Sequence, residues 1–392
     1  MALQIYHPSE RALVAAADAV LGVAAAVSTP FRRRRKPHLP QRILLLRLER
    51  IGDLLMALPG IAAARRGAPG ATIDLVVGSW NEALARAIPF IDHVEVLDAG
   101  WLARDGSSSN GNAPGLRSML QRAAGWRDRK YDLGINFEPD IRSNLLLRAA
   151  APAWTVGYRS AGGGPLLDQA LEYDQTAHTS DNARRLVASV LPASEIEAAV
   201  PMLVVPEDAR GRASAIIGTP RRPLVAMHVS GGRAIKQWEP AKFAHVARRL
   251  VSERGATILL TGSAVDRPLV REVSTALSPE AVIDAANGPD LLTLAAILAE
   301  CDLLVTGDTG PMHLAYAVGL PIVAVFGPSD PRRYAPRGPR DRVVRVDLPC
   351  APCNRIRLPP ARCQGKTPDC LALVSADSVF DAAAAVLDQC PR

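Results

Sequence analysis

The chain predicts an α/β fold of two doubly wound domains, on three observations. Short, wholly apolar runs of strand length alternate with longer segments whose apolar residues recur at helical spacing, the pattern of βα units around a parallel sheet. The alternation runs once from residue 41 and restarts after a proline-studded break, GTPRRP at 218–223. Glycine-bearing turns follow several apolar runs, at the strand ends outside which open α/β sheets bind ligands.

Residues 10–27 are Ala- and Val-rich with one apolar face at helical spacing, followed by Pro30 and the basic run FRRRRK at 31–36. Two readings of this extension stand: a surface helix with solvated arginines, or attachment to an anionic membrane leaflet. Strands are expected at 43–48 (ILLLRL), 73–77, 93–97, 133–137 and 153–156, with helices at 54–66, 82–87, 116–126, 143–150 and 181–190. The Ser/Gly/Asn-rich 106–115 reads as a loop, and 157–178, with its triple glycine, as irregular. Past the break, strands at 224–228, 257–261, 281–284, 302–306 and 322–326 alternate with helices at 240–254, 265–277, 291–299 and 311–318. A last helix at 375–387 is expected to pack back across the domain junction. The expected division is a 1–40 extension, a 41–217 domain, a 218–375 domain and a 376–392 terminal helix.

The 392 residues suffice for two cores, and with 48% hydrophobic but only 4% aromatic residues those cores are built from Ala, Val and Leu. Lys and Arg outnumber Asp and Glu by 46 to 39, a net +7 that favours anionic partners. Scarce aromatics argue against stacked single-stranded bases, so no nucleic-acid partner is expected. The first residues lack a secretory signal pattern and no run is apolar enough for a membrane span, so a cytoplasmic location is expected, with the inner membrane face as an added option.

Chemistry concentrates at the strand ends. In TGDTGPMH (306–313), Pro311 suits the first helical turn, and the open amides there make an anion site. The bland reading is that Asp308 and Thr309 only cap the helix. In HVSGGRAIKQW (228–238), Gly231 and Gly232 let backbone fold round an oxyanion while Ser230, Arg233 and Lys236 supply donors and charge. Gly262 and Ser263 form a third turn of the same kind, and three such turns suit a nucleotide diphosphate. In ERIGD, Asp53 is either a helix N-cap or, if partly buried, a base for a hydroxyl nucleophile; Glu49 is the neighbouring alternative.

These segments, in this order from residue 43 to the C-terminal end, resemble glycosyltransferase family 9, the ADP-heptose:lipopolysaccharide heptosyltransferases. The resemblance implies a GT-B fold, two Rossmann-like domains facing across a cleft, and inverting sugar transfer with no required cofactor. It implies Asp53 as catalytic base, Lys236 on the donor diphosphate, and a donor motif of Asp308, Thr309, Gly310 and His313. The implied partners are an ADP-heptose-like donor and a lipid-linked glycan acceptor such as lipopolysaccharide core. One departure stands out: Ser263 and Ala264 occupy positions where heptose-transferring members often carry an acidic ribose-binding residue, and Asp266 is the candidate substitute. The competing readings are a sugar-nucleotide epimerase and a non-catalytic nucleotide-sugar-binding protein.

Four of the six cysteines, Cys350, Cys353, Cys363 and Cys370, crowd one segment. Their spacing is compatible with a structural four-thiolate zinc site, a disulfide or free thiols.

Overall fold

The structure is a computed structural model that describes residues 3–5, 7–28, 35–102, 115–192, 202–286 and 288–389. Most of the 106–115 loop, Arg32, Arg33 and Arg34 of the basic run, and Cys390 lie outside these residues. Two compact units are present, Met1–Met202 and Leu203–Arg392.

The first unit is built on a six-stranded parallel sheet of β1 (Arg42–Leu46), β2 (Thr72–Val77), β3 (His93–Val96), β4 (Leu133–Asn136), β5 (Trp154–Tyr158) and β6 (Gln169–Leu171), in the order β3-β2-β1-β4-β5-β6. All pairings are parallel. The direction of winding therefore reverses between β1 and β4, which opens a crevice beyond their carboxyl ends. Ile43, Leu44, Leu45 and Leu46 are wholly buried, as a strand covered on both faces requires. The helix Ile51–Gly67 crosses Thr179–Ala188 closely at Gly60, where an added Cβ would meet that of Ala183 at 2.9 Å. The short β6 lies inside the stretch expected to be irregular and extends the sheet through Val156 opposite Gln169.

The second unit repeats the plan with β7 (Leu224–His228), β8 (Thr257–Thr261), β9 (Val282–Asp284), β10 (Leu303–Gly307), β11 (Ile322–Val325) and β12 (Arg342–Val344), in the order β12-β11-β10-β7-β8-β9. Counted from its own first strand this is the same winding, with the reversal between β7 and β10. Trp238 and Phe243 meet edge to face at 4.7 Å inside its core. Doubly wound six-stranded sheets in both units are the pair that the GT-B expectation calls for.

Two boundaries differ from expectation. The helix Glu207–Ile217 belongs to the second unit, which begins at Leu203 rather than at 218. It buries Ala209, Ala213 and Ile217, one helical face, and Arg212 donates to Thr293 Oγ1 at 2.9 Å. The terminal helix Ala376–Leu387 packs within its own unit on the helix Pro240–Arg254 and on β10, β11 and β12. Val379, Phe380, Ala383 and Val386 enter the core, and the Arg249 guanidinium lies 3.7 Å from the centre of the Phe380 ring.

Candidate functional site

At the first reversal, Leu46 of β1 pairs with Asn136 of β4. Beyond Leu46 the chain runs through Arg47, Leu48, Glu49 and Arg50 into the helix Ile51–Gly67. Arg50, extended at ψ 170°, is the N-cap; Asp53 occupies the third helical position and accepts the Arg50 amide at 3.3 Å. The N-cap reading of Asp53 is thus corrected by three residues, since its carboxylate closes the cap from inside the helix. Its other oxygen lies 3.5 Å from Arg47 Nη2, and the side chain stays 34% exposed, so a substrate hydroxyl can still reach it.

Arg47 interrupts an apolar run, and the fold explains why. The side chain is buried; its Nη1 sits 2.9 Å from Glu49 Oε2 and donates to the Phe137 carbonyl at 2.9 Å, while Nε donates to the Asp53 carbonyl at 3.1 Å. Burial works against its charge, but Glu49, Asp53 and Glu138 together hold its ionisation above the ordinary arginine value. Glu138, two residues past β4 and 1% exposed, accepts the amides of Leu48 and Glu49 and so clasps the turn. Burial first, then the neighbouring Glu49, pushes its carboxyl up to about 8. Sequence reasoning passed over both Arg47 and Glu138. The available signal was a charged residue within or just past an apolar strand run, in ILLLRL and GINFEPD.

At the second reversal, His228 ends β7 opposite Thr306 of β10. The His228 ring is buried, its Nδ1 lies 3.0 Å from Thr261 Oγ1, and burial pushes its pKa down to about 4, so it stays neutral. In the loop that follows, the Gly231 amide donates to Gln237 Oε1 at 2.8 Å, and an added Cβ at Gly231 would lie 2.5 Å from the Lys236 carbonyl. Gly232 takes φ +66°, a conformation natural to glycine. This folding delivers Lys236 to Asp308: Nζ is 3.1 Å from Oδ2 and also donates to the Asp308 carbonyl. Burial would raise the Asp308 carboxyl, yet Lys236 and His313, with hydrogen bonds from Ser329 and Lys236, hold it below its ordinary range.

The helix Gly310–Ala317 then starts without a side-chain cap. Its N-cap Thr309 is extended, and its hydroxyl turns back to Thr306 Oγ1 at 3.2 Å and to the Gly307 carbonyl at 3.4 Å. The capping reading of Asp308 and Thr309 does not describe this turn: Asp308 engages Lys236, leaving the first-turn amides to an anion. Ser263 is spent locally, since Asp266 accepts from its amide at 2.8 Å and its hydroxyl at 2.6 Å. Asp266 also takes a hydrogen bond from Ser230, tying the turns after β7 and β8 together. An added Cβ at Gly262 would approach that of Asp266 to 3.1 Å, so the glycine keeps this turn tight. Of the expected donor residues, Ser230, Gly231, Gly232, Lys236, Gly262, Ser263, Asp308, Thr309, Gly310 and His313 therefore share one end of the second sheet.

The cysteines form no comparable centre. Among the described residues no three His, Cys, Asp or Glu side chains are arranged to hold a metal ion, and Cys350, Cys353, Cys363 and Cys370 are free thiols. Of the zinc, disulfide and free-thiol readings, the free thiols are the state of these four residues here: Cys350 is exposed while Cys370 is buried, its thiol pushed up to about 11 by burial and then by Cys353.

Residues 120–360, more than half the chain, match the profile of glycosyltransferase family 9 (heptosyltransferase). The chain is 28% identical over 325 residues to lipopolysaccharide heptosyltransferase 1 of Pseudomonas aeruginosa, covering 80% of this chain and 86% of that protein. Its fold is similar to that of a glycosyl transferase family 9 crystal structure from Veillonella parvula, with TM-score 0.76, 23% identity and coverage of 89% and 98%. It is also similar to the fold of E. coli ADP-heptose lps heptosyltransferase II, with TM-score 0.71, 21% identity and coverage of 89% and 99%. With the switch-point sites and the family profile in agreement, the chain belongs to glycosyltransferase family 9.

Proposed function

We propose that this glycosyltransferase moves a heptose from ADP-heptose to a hydroxyl of a lipopolysaccharide-core acceptor, with inversion at the anomeric carbon and without a catalytic metal. The observation that carries the reading is the division of chemistry between two switch points. The first holds a reachable carboxylate, Asp53, braced by a buried arginine. The second holds a partly buried cation, Lys236, beside an uncapped helix start. The relatives named heptosyltransferases support the sugar and the acceptor.

In the proposed reaction the acceptor hydroxyl gives its proton to an Asp53 carboxylate oxygen as its own oxygen bonds to the anomeric carbon. The bond from that carbon to the diphosphate oxygen breaks on the opposite face, and the electron pair leaves with ADP. Charge growing on the leaving diphosphate meets Lys236 and the amides of the Gly310 turn, already fixed in place, so little reorganisation is needed. Gly231 and Gly232 let the backbone come close to the phosphates. His313 and Ser329 steady the Asp308 carboxylate that orients Lys236. The acceptor is lipid-linked, which sets the enzyme to work on the inner face of the plasma membrane.

The test is a donor panel with acceptor core oligosaccharide. ADP-heptose should be consumed with release of ADP and an α-configured product from a β-configured donor. Consumption of a UDP- or GDP-sugar instead, or a product retaining the donor configuration, refutes the proposal.

A further inference from the structure

The helix Pro8–Ser28 wears its apolar side outward. Its inner side is pinned to the first unit: Val14 is buried, an added Cβ at Gly162 would lie 2.3 Å from Val14 Cγ1, and Asp18 accepts the Gly163 amide at 2.6 Å. Just upstream, the Gln4 amide donates to the Ser160 carbonyl at 2.6 Å and its side chain to the Tyr173 carbonyl at 3.0 Å. Asp18 is thus engaged on the inner side, while the exposed charged residues Glu10 and Arg11 stay in the first turn, before the stripe. Every exposed residue from 12 to 23 is Ala, Leu or Val, and Leu13, Val20 and Val23 stand 72%, 70% and 68% exposed. Leu13, Ala16, Val20 and Val23 follow one another at helical spacing along a single stripe.

Contiguous apolar surface of this kind marks an interaction site. Among the described residues no helix is long and apolar enough to cross a membrane, so the stripe acts as a face. The chain following the helix reads FRRRRK, and Arg35 and Lys36, which are described, are exposed. Lys36 Nζ donates to the Ser189 carbonyl at 2.9 Å, so the basic segment is tethered to the same unit as the helix. A second copy of the chain would add like charge to a chain already at net +7 and is disfavoured on that ground; an anionic bilayer satisfies both the stripe and the charge.

We infer that the helix Pro8–Ser28 lies in the plane of an anionic lipid surface, with Leu13, Val20 and Val23 among the acyl chains and the exposed Arg35 and Lys36 towards the headgroups. The inference rests on the proposed function only for its purpose, to bring the transferase to a lipid-linked acceptor. The docking itself needs no turnover.

The full chain is sedimented with vesicles of phosphatidylcholine alone and with about one-quarter phosphatidylglycerol, at low and raised salt. The unmodified protein should pellet with the anionic vesicles and lose most of that binding at high salt. L13E/V20E, which alters only exposed positions, should bind at least tenfold more weakly while melting like the parent and transferring sugar to a soluble acceptor at the parent rate. R32Q/R33Q/R34Q/R35Q should erase the preference for anionic vesicles. The inference is overturned if the parent stays in the supernatant, if L13E/V20E binds as the parent does, or if the stripe instead drives self-association that L13E/V20E abolishes. Vesicle binding without sugar transfer would leave this inference standing and remove the proposed function.

Discussion

Replacing Lys236 with Ala deprives the buried Asp308 carboxylate of its main counter-charge. At 3.1 Å and an effective dielectric of about 20, the attraction lost is about 5 kcal/mol. Removing one partner of a buried pair costs about 3–5 kcal/mol. The two side chains retain 19% and 13% exposure, and Ser329 and His313 still face the carboxylate, so a loss near the lower end, about 3 kcal/mol, is expected. For a unit of this size that lowers the midpoint of its calorimetric transition by about 6–12 °C. The sign with pH is fixed by Asp308. In the parent its carboxyl lies below the ordinary 3.8, so its contribution is full above that value and is lost as pH falls through the lowered one. In the variant burial dominates and raises the carboxyl, so the variant worsens as pH rises above 3.8. The stability gap should be smallest below the parent's lowered value, already partly open near pH 4, and widest once pH has passed the variant's raised one. K236A/D308N should regain most of the stability but not donor affinity. Parent-like stability of K236A at neutral pH, or a gap that does not change with pH, would refute the reasoning.

Other consequences follow from single contacts. Gly231→Ala places a methyl 2.5 Å from the Lys236 carbonyl, so the loop must shift; about 1–3 kcal/mol of stability and at least tenfold in donor affinity should be lost, read by unfolding and by calorimetric titration. Glu138 is raised to about 8, so the unfolded chain ionises it at lower pH and stability falls as pH rises from 4.5 towards 8. Glu138→Gln keeps an oxygen for the Leu48 and Glu49 amides and should flatten that decline in a urea-unfolding series across pH. Protein purified under reducing conditions should carry well under one equivalent of zinc; a full equivalent that Cys350→Ser removes would show the thiols closing on a metal.

The fold was most legible where strands are buried on both faces and bounded by glycine or proline. Residues 224–228, 240–254 and 257–261 matched their sequence-predicted spans because LVAMH and TILLT admit no exposed face and Pro240 and Gly255 punctuate the helix. β6 and β12 escaped notice for the opposite reason. They are three residues each, QAL and RVV, and their strand character comes from pairing with β5 and β11 rather than from local pattern. The expected 41–217 domain took in residues 203–217, which the second unit holds, because the buried face of the helix there says that it packs, not on what. At the sites, glycine and proline chemistry revealed the donor turns. The Arg47–Asp53 pair, the Glu138 clasp and the diversion of Ser263 to Asp266 were not readable, being partnerships that only the folded chain creates.

The central claim is that proton transfer belongs to Asp53 and donor binding to the second unit, and Asp53→Asn tests it most directly. Its side chain contributes one long capping bond and an ion pair while a third exposed, so the variant should fold with a loss of about 1 kcal/mol or less. Titrated with ADP-heptose it should bind as the parent does, yet release no ADP when acceptor is added. Turnover within tenfold of the parent, or loss of donor binding with the fold intact, would contradict the account.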